Sequence, residues 1–228
     1  MMRVAVIDYG TGNLGSMLRA LEELGAQPTL ASHPDQIADA ARLILPGVGS
    51  FTDCMAALSA GGWPQALRAA VDEAGTPLLG VCVGMQLLAM RGSEGATAGR
   101  ATAGLGFVPG TVRHLRDLGC GLRLPHVGWN AIDPAGGPDP LLTGIPAGTN
   151  FYFVHSFALE TQTQDAEAPD TETPDTETPD HVIATATHDI PFVAAVRCGR
   201  VWGTQFHPEK SSRAGFRLLR NFLGDLPC

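Results

Sequence analysis

The sequence predicts an α/β fold, an open, mixed and mainly parallel sheet with helices on both faces. Two observations predict it. Residues 3–90 alternate short apolar, β-branched runs with segments of helical periodicity, and the second half offers further strand-like runs separated by turns before a closing helix. Size agrees: 228 residues, 44% hydrophobic and 17% charged, suit one ordinary globular domain spanning 1–228.

Arg3 to Tyr9 (RVAVIDY) reads as the first strand, and Leu14, Met17, Leu18, Leu21 and Leu24 then recur at helical spacing up to Gly25, a C-cap. The alternation continues with strand Pro28 to Ala31, a helix over Asp35 to Ala40, strand Arg42 to Leu45 and helical stretches through Val71. Strand Pro77 to Val81 and helix Gly84 to Met90 complete the first half. In the second half Phe151 to Leu159, His181 to Thr187, Phe192 to Arg197 and Val201 to Phe206 read as strands of a mixed sheet, and Ser212 to Leu223 as the last helix. Between the first two of these strands, residues 161–180 form an acidic loop insertion that repeats a TETPD unit. It lacks large apolar residues, cannot offset the entropy of ordering itself, and is expected to be disordered.

The net charge of −8 is concentrated there: Thr161 to Asp180 holds seven carboxylates and no Lys or Arg, and without them the chain carries −1. No basic face argues for nucleic acid. No apolar stretch approaches the roughly 20 residues that span a bilayer, and Met1-Met2-Arg3-Val4 leads straight into a strand, so a cytoplasmic protein with no membrane partner is expected. The five cysteines are scattered without a C-x-x-C pair, so reduced thiols are expected and neither a metal nor a cofactor is called for.

Leu79-Gly80-Val81-Cys82-Val83-Gly84-Met85-Gln86 places a cysteine where a strand ends and a helix starts at once. G-x-C-x-G has the form of a nucleophile elbow, whose glycines permit a sharp turn that lifts the nucleophile clear of the sheet. Backbone N–H groups of the following helix favour negative charge on the sulfur, which makes Cys82 a candidate nucleophile. A base is available in Phe206-His207-Pro208-Glu209-Lys210: Pro208 biases His207 toward an extended conformation, and residues two apart in an extended chain face one side. Glu209 is thereby placed to hydrogen-bond one imidazole nitrogen and orient His207 toward Cys82. Attack on an amide carbonyl develops a negative oxygen, and a second glycine-rich turn, Pro46-Gly47-Val48-Gly49, follows the strand Arg42 to Leu45 at the sheet edge beside Cys82. The N–H groups of Val48 and Val83 are the oxyanion-hole candidates.

Through PGVG (46–49), GVCVGMQ (80–86) and FHPEK (206–210) the chain resembles the class I glutamine amidotransferases over nearly its whole length. It is most similar to the glutaminase subunits of imidazole glycerol phosphate synthases, on Asp8 to Ser16 (DYGTGNLGS), Pro125 to Asn130 (PHVGWN) and Phe151 to Ser156 (FYFVHS). The resemblance implies a flavodoxin-like fold and a cysteine glutaminase with triad Cys82, His207 and Glu209. It further implies that Gly49, Gln86, Ser156 and Phe157 position glutamine, and that Asn13, Trp129 and Lys210 lie at the junction with a cyclase subunit. That heterodimer partner, a (β/α)8 barrel, would receive the ammonia. Family members often carry Tyr where this chain has Phe157. Glutaminases of anthranilate, aminodeoxychorismate or pyridoxal phosphate synthesis share the fold, but DYGTGNLGS and PHVGWN speak against them. Gly10-Thr11-Gly12-Asn13-Leu14-Gly15 also fits G-x-G-x-x-G, the mark of a dinucleotide-binding oxidoreductase, yet the second strand ends in Ala31-Ser32-His33 with no ribose-binding carboxylate.

Overall fold

A computed structural model of the chain describes residues 2–11, 14–96, 100–161 and 179–224. Its main sheet opens with parallel strands whose connections are the helical segments of the first half. Strand β1 (Arg3–Ile7) pairs with β2 (Gln27–Ala31) on one side and β3 (Arg42–Gly47) on the other, and β3 pairs in turn with β4 (Leu78–Cys82). All four residues Val4 to Ile7 and all five of β4 are buried, the continuous apolar run expected of a parallel strand covered on both faces. Between these strands lie α1 (Leu14–Glu23), α2 (Phe51–Ala60) and α3 (Trp63–Arg68), and α4 (Val83–Leu87) follows β4.

The second half is built differently. Strands β5 (Ala89–Gly92), β6 (Thr102–Ala103) and β7 (Val108–His114) leave the main sheet, and β8 (His126–Pro134) and β9 (Thr149–His155) rejoin it. After β10 (Phe157–Glu160) come β11 (Val182–His188), β12 (Ile190–Cys198) and β13 (Val201–Thr204), and the chain closes with α5 (Ser212–Leu223). The nine-stranded sheet runs β2-β1-β3-β4-β13-β12-β11-β8-β9, parallel as far as β13 and antiparallel beyond. A four-stranded sheet, β10-β7-β5-β6, stands beside it. Helix α5 buries Leu218, Leu219, Phe222 and Leu223 at three- and four-residue spacing and stops at Gly224, whose φ of 79° is the left-handed cap a glycine supplies.

Several expected elements differ. The helix over Asp35 to Ala40 is only a 3-10 turn, Pro34–Ile37, closed by the Gln36 side chain, which accepts from the Ser32 and His33 N–H groups at 2.7 and 3.0 Å. The helix Gly84 to Met90 ends at Leu87, because Ala89–Gly92 pairs with β7 as strand β5. Phe151 to Leu159 is two strands broken at Ser156, one in each sheet. Strands β7 and β8 had no counterpart among the expected elements, and both contain residues that weaken a strand pattern, Pro109 and Gly110 in β7 and Gly128 in β8. The TETPD insertion falls almost wholly on residues 162–178, outside the described residues, and its flanks Thr161 and Pro179 line one groove together.

Candidate active site

Strand β4 delivers Cys82 to the carboxyl edge of the parallel half with φ 56° and ψ −115°, a left-handed conformation held by a non-glycine residue. Such a residue costs about 1–3 kcal/mol and persists only where its surroundings impose it. Here they do. A Cβ on Gly80 would meet the Gly84 carbonyl oxygen at 2.7 Å, and one on Gly84 would overlap the Leu45 carbonyl, so α4 lies against β4 and β3 in direct backbone contact. The chain can reverse that tightly only by turning at Cys82, which is 5% exposed, with the Val83 N–H at the first position of α4.

The parallel pairing of β13 with β4, Gly203 opposite Gly80 and Thr204 opposite Val81, carries Gln205 to His207 out at the same edge. His207 is fixed by its backbone, whose N–H donates to Tyr152 at 2.9 Å and whose carbonyl accepts from the Ser211 hydroxyl at 2.6 Å. Its Nδ1 bonds Glu209 Oε1 at 2.8 Å, both side chains being over 90% buried, which leaves Nε2 for Cys82, with which His207 shares the cavity. Burial, the largest influence, disfavours the imidazolium. The hydrogen bonds to Cys82 and Glu209 and the charge of both outweigh it, and the His207 pKa is raised to about 9. The sulfur also lies 3.7 Å from the Val154 carbonyl and 4.0 Å from Gln205 Nε2.

A cavity of about 310 Å³ opens over the sulfur. Val48 and Gly49 form one rim, brought there by the register that sets Gly47 opposite Cys82. Val83, Gln86, Ser156, Phe157 and Lys210 line the remainder with His207, and Glu209 stands behind the imidazole. Gln86 is 2% exposed, and its Nε2 bonds the Phe157 carbonyl at 3.0 Å and Gln205 Oε1 at 2.9 Å while its Oε1 has no partner. Gln86 thus meets position 157 through its backbone carbonyl, a contact that does not depend on the side chain there. Trp129 is not in the cavity: it stands on β8, 53% exposed, beside the equally bare Val127. Asn13 lies outside the described residues.

Two ionisable lining residues escaped the sequence reading, Glu94 and His155. The Glu94 carboxylate accepts from the Phe51 N–H at 3.2 Å, its backbone carbonyl accepts from the Thr52 hydroxyl at 2.8 Å, and burial pushes its pKa up. His155 belongs to a directed chain: the Asn130 amide donates to His126 Nε2 at 3.4 Å, His126 Nδ1 to His155 Nε2 at 3.0 Å, and His155 Nδ1 to the Phe157 carbonyl at 2.9 Å. Burial holds the pKa of His155 down to about 3 and that of His126 to about 4, so both rings are neutral, as this one-way chain requires. His155 has no glycine or proline beside it, and Glu94, although it stands in Gly92-Ser93-Glu94-Gly95, is not at a strand-to-helix junction of the kind that marked Cys82. Among the described residues no three His, Cys, Asp or Glu side chains cluster to hold a metal ion, and no helix is long and apolar enough to cross a membrane.

Residues 5–226 match the family model described as glutamine amidotransferase class-I. The chain is 43% identical to the imidazole glycerol phosphate synthase subunit HisH of Caulobacter vibrioides, over 98% of each chain. It is 40% identical to the HisH subunit of Moorella thermoacetica, over 97% of this chain and 94% of that one. Among solved structures, PurLQS from Thermotoga maritima superposes with a TM-score of 0.71 over 99% of both chains at 19% identity, a likeness of fold.

Proposed function

The chain belongs to the class I glutamine amidotransferase family, and from that premise we propose that it is the glutaminase subunit of an imidazole glycerol phosphate synthase, supplying ammonia to a cyclase partner in histidine biosynthesis. The observation that carries the chemistry is the alignment of a strained strand-end cysteine, a hydrogen-bonded imidazole and a buried carboxylate 2.8 Å behind it. Cys82 attacks the side-chain amide carbon of glutamine, and the carbonyl electrons move onto oxygen. The N–H groups of Val48 and Val83 receive that oxyanion. Its collapse breaks the C–N bond as the His207 imidazolium gives its proton to the departing ammonia. Water then attacks the thioester, His207 takes the proton, and glutamate leaves with the thiol restored. Glu209 holds the imidazole in the productive orientation throughout.

Substrate recognition follows from the lining. The unpartnered Gln86 Oε1 offers an acceptor, Glu94 offers a negative charge for the substrate ammonium, and Gly49, Ser156 and Phe157 shape the remaining wall. The exposed Val127 and Trp129, Lys210 at the cavity and Asn13 are assigned to the cyclase junction, where a bare apolar pair is the feature that a partner would cover. The family match absorbs the G-x-G-x-x-G segment, so the dinucleotide reading falls away.

The reading is tested by glutamate release from glutamine, with and without the cyclase subunit and its ligand, for the parent and Cys82→Ala. Partner-dependent turnover that vanishes in Cys82→Ala is expected. Turnover indifferent to the cyclase points to a different synthase, and turnover surviving Cys82→Ala overturns the mechanism.

A further inference from the structure

Beneath the turn that carries the Val48 N–H lies a second, fully buried cysteine that the mechanism above does not use. Cys54, in the first turn of α2, is 0% exposed and its thiol donates to the Val48 carbonyl at 3.4 Å. The Thr11 hydroxyl stands 3.8 Å from the same sulfur, so the hydroxyl donates to sulfur while sulfur donates to the carbonyl. Close by, the buried Tyr9 hydroxyl donates to the Pro46 carbonyl at 3.0 Å. The two carbonyls that flank the Gly47–Val48 peptide are thus each pinned by a side chain from a different element. That peptide itself is pressed between Tyr9 and α4, since a Cβ on Gly47 would meet the Tyr9 hydroxyl and the Gly84 N at 2.8 Å. Burial raises the pKa of both the Cys54 thiol and the Tyr9 phenol, so both stay protonated and remain donors across the neutral range.

We propose that Cys54 is a positioning residue of the glutaminase reaction, its thiol fixing through the Val48 carbonyl the peptide whose N–H meets the oxyanion. This rests on the assignment of Cys82 as nucleophile and Val48 as oxyanion donor. It follows that Cys54 acts on the barrier of amide hydrolysis and leaves both glutamine binding and the reactivity of the Cys82 sulfur alone.

The test uses the complex with the cyclase subunit and compares the parent with Cys54→Ala, Cys54→Ser, Thr11→Val and Cys82→Ala. Loss of an oxyanion donor outright costs about 100- to 1,000-fold in kcat, so loosening one is expected to lower kcat about 10-fold in Cys54→Ala with KM for glutamine within about 2-fold. Cys54→Ser, which keeps a donor, should return most of that loss, and Thr11→Val, which keeps the shape but not the hydroxyl, should fall between. Inactivation by iodoacetamide proceeds without an oxyanion and reads the Cys82–His207 pair alone, so its rate should be the same in parent and Cys54→Ala. Parental kcat in Cys54→Ala, a serine variant no better than alanine, or alkylation slowed in step with kcat overturns the proposal. Should Cys54→Ala fail to fold, Thr11→Val and Cys54→Ser decide it: parental kcat in Thr11→Val overturns it, and a kcat deficit there at parental alkylation rate sustains it. Activity in Cys82→Ala, by contrast, would bring down the glutaminase mechanism itself.

Discussion

At the scale of single residues, the pH response of the site is set by His207. Its pKa of about 9 lies above the roughly 6.5 of a free imidazole, so the contribution of its pairing to stability is complete below about pH 6.5 and is lost as pH rises through 9. In the proposed mechanism catalysis shares the limit, because the imidazolium that would protonate ammonia disappears over the same range. The alkaline limb of kcat/KM for glutamine is therefore expected near pH 9. Glu209 is one of the groups that raise this pKa, through both hydrogen bond and charge, so Glu209→Gln should move the limb to lower pH and reduce kcat. A pH–rate profile of the two proteins checks this, and a limb that stays in place would show that Glu209 does not tune the imidazole. Cys82, His207 and Glu209 were legible in the sequence because each sits in a motif whose spacing has a geometric meaning: glycines for the elbow, proline for the extended pair. Glu94 and Cys54 were not, because each is placed by a hydrogen bond that no local spacing encodes: Glu94 meets the Phe51 N–H from far along the chain, and Cys54 meets the Val48 carbonyl only because the chain turns between β3 and α2.

At the scale of elements, the elbow depends on how closely α4 lies on β3. Gly84 has no room for even a methyl group, since the atoms in the way are the backbone of Leu45 and Pro46, which cannot swing aside as a flexible side chain would. Overpacking a core costs typically about 1–3 kcal/mol and occasionally more, and a rigid obstacle puts Gly84→Ala at the upper end of that range. For a chain of this size about 3 kcal/mol corresponds to a melting temperature lowered by about 6–12 °C. Calorimetry measures it directly, and a parental melting temperature would mean that α4 can lift from the sheet without loss. The parallel half was readable at this scale because its central strands β1, β3 and β4 are apolar beyond their first residues and are separated by amphipathic or capped helices. The antiparallel half was less so. Strands β7 and β8 carry glycine and proline for local reasons, Gly110 at φ 127° because a Cβ there would run into the Glu160 carbonyl across the strand pair, and Gly128 at φ 141°. The short apolar run after α4 has no period that separates helix from strand, and only its pairing with β7 decides.

At the scale of the whole molecule, Cys82 and His207 meet only because β13 returns from the antiparallel half to pair in parallel with β4, so the first half alone holds an incomplete candidate site. The described flanks of the long stretch between β10 and β11 stand away from the catalytic cavity: Thr161 and Pro179 line a groove with Leu118, Val182 and Phe192, none of which borders it. The six carboxylates of residues 162–178 account for most of the charge of −8, and without them the chain would carry −2. Their removal changes the field around the molecule and leaves the pairing of β4 with β13 intact. Replacing residues 162–178 by half as many glycines and serines should therefore leave partner-dependent glutamine hydrolysis at the parental rate. Halving the length of a connection changes its closure entropy by only about 0.6 kcal/mol, which for a chain of this size is expected to raise the melting temperature by about 1–2 °C. Calorimetry and the glutaminase assay on one variant test both halves of the argument. A large fall in melting temperature would mean that the insertion packs on the fold, whereas intact stability with lost coupling to the cyclase would place the acidic repeat in the docking of the partner.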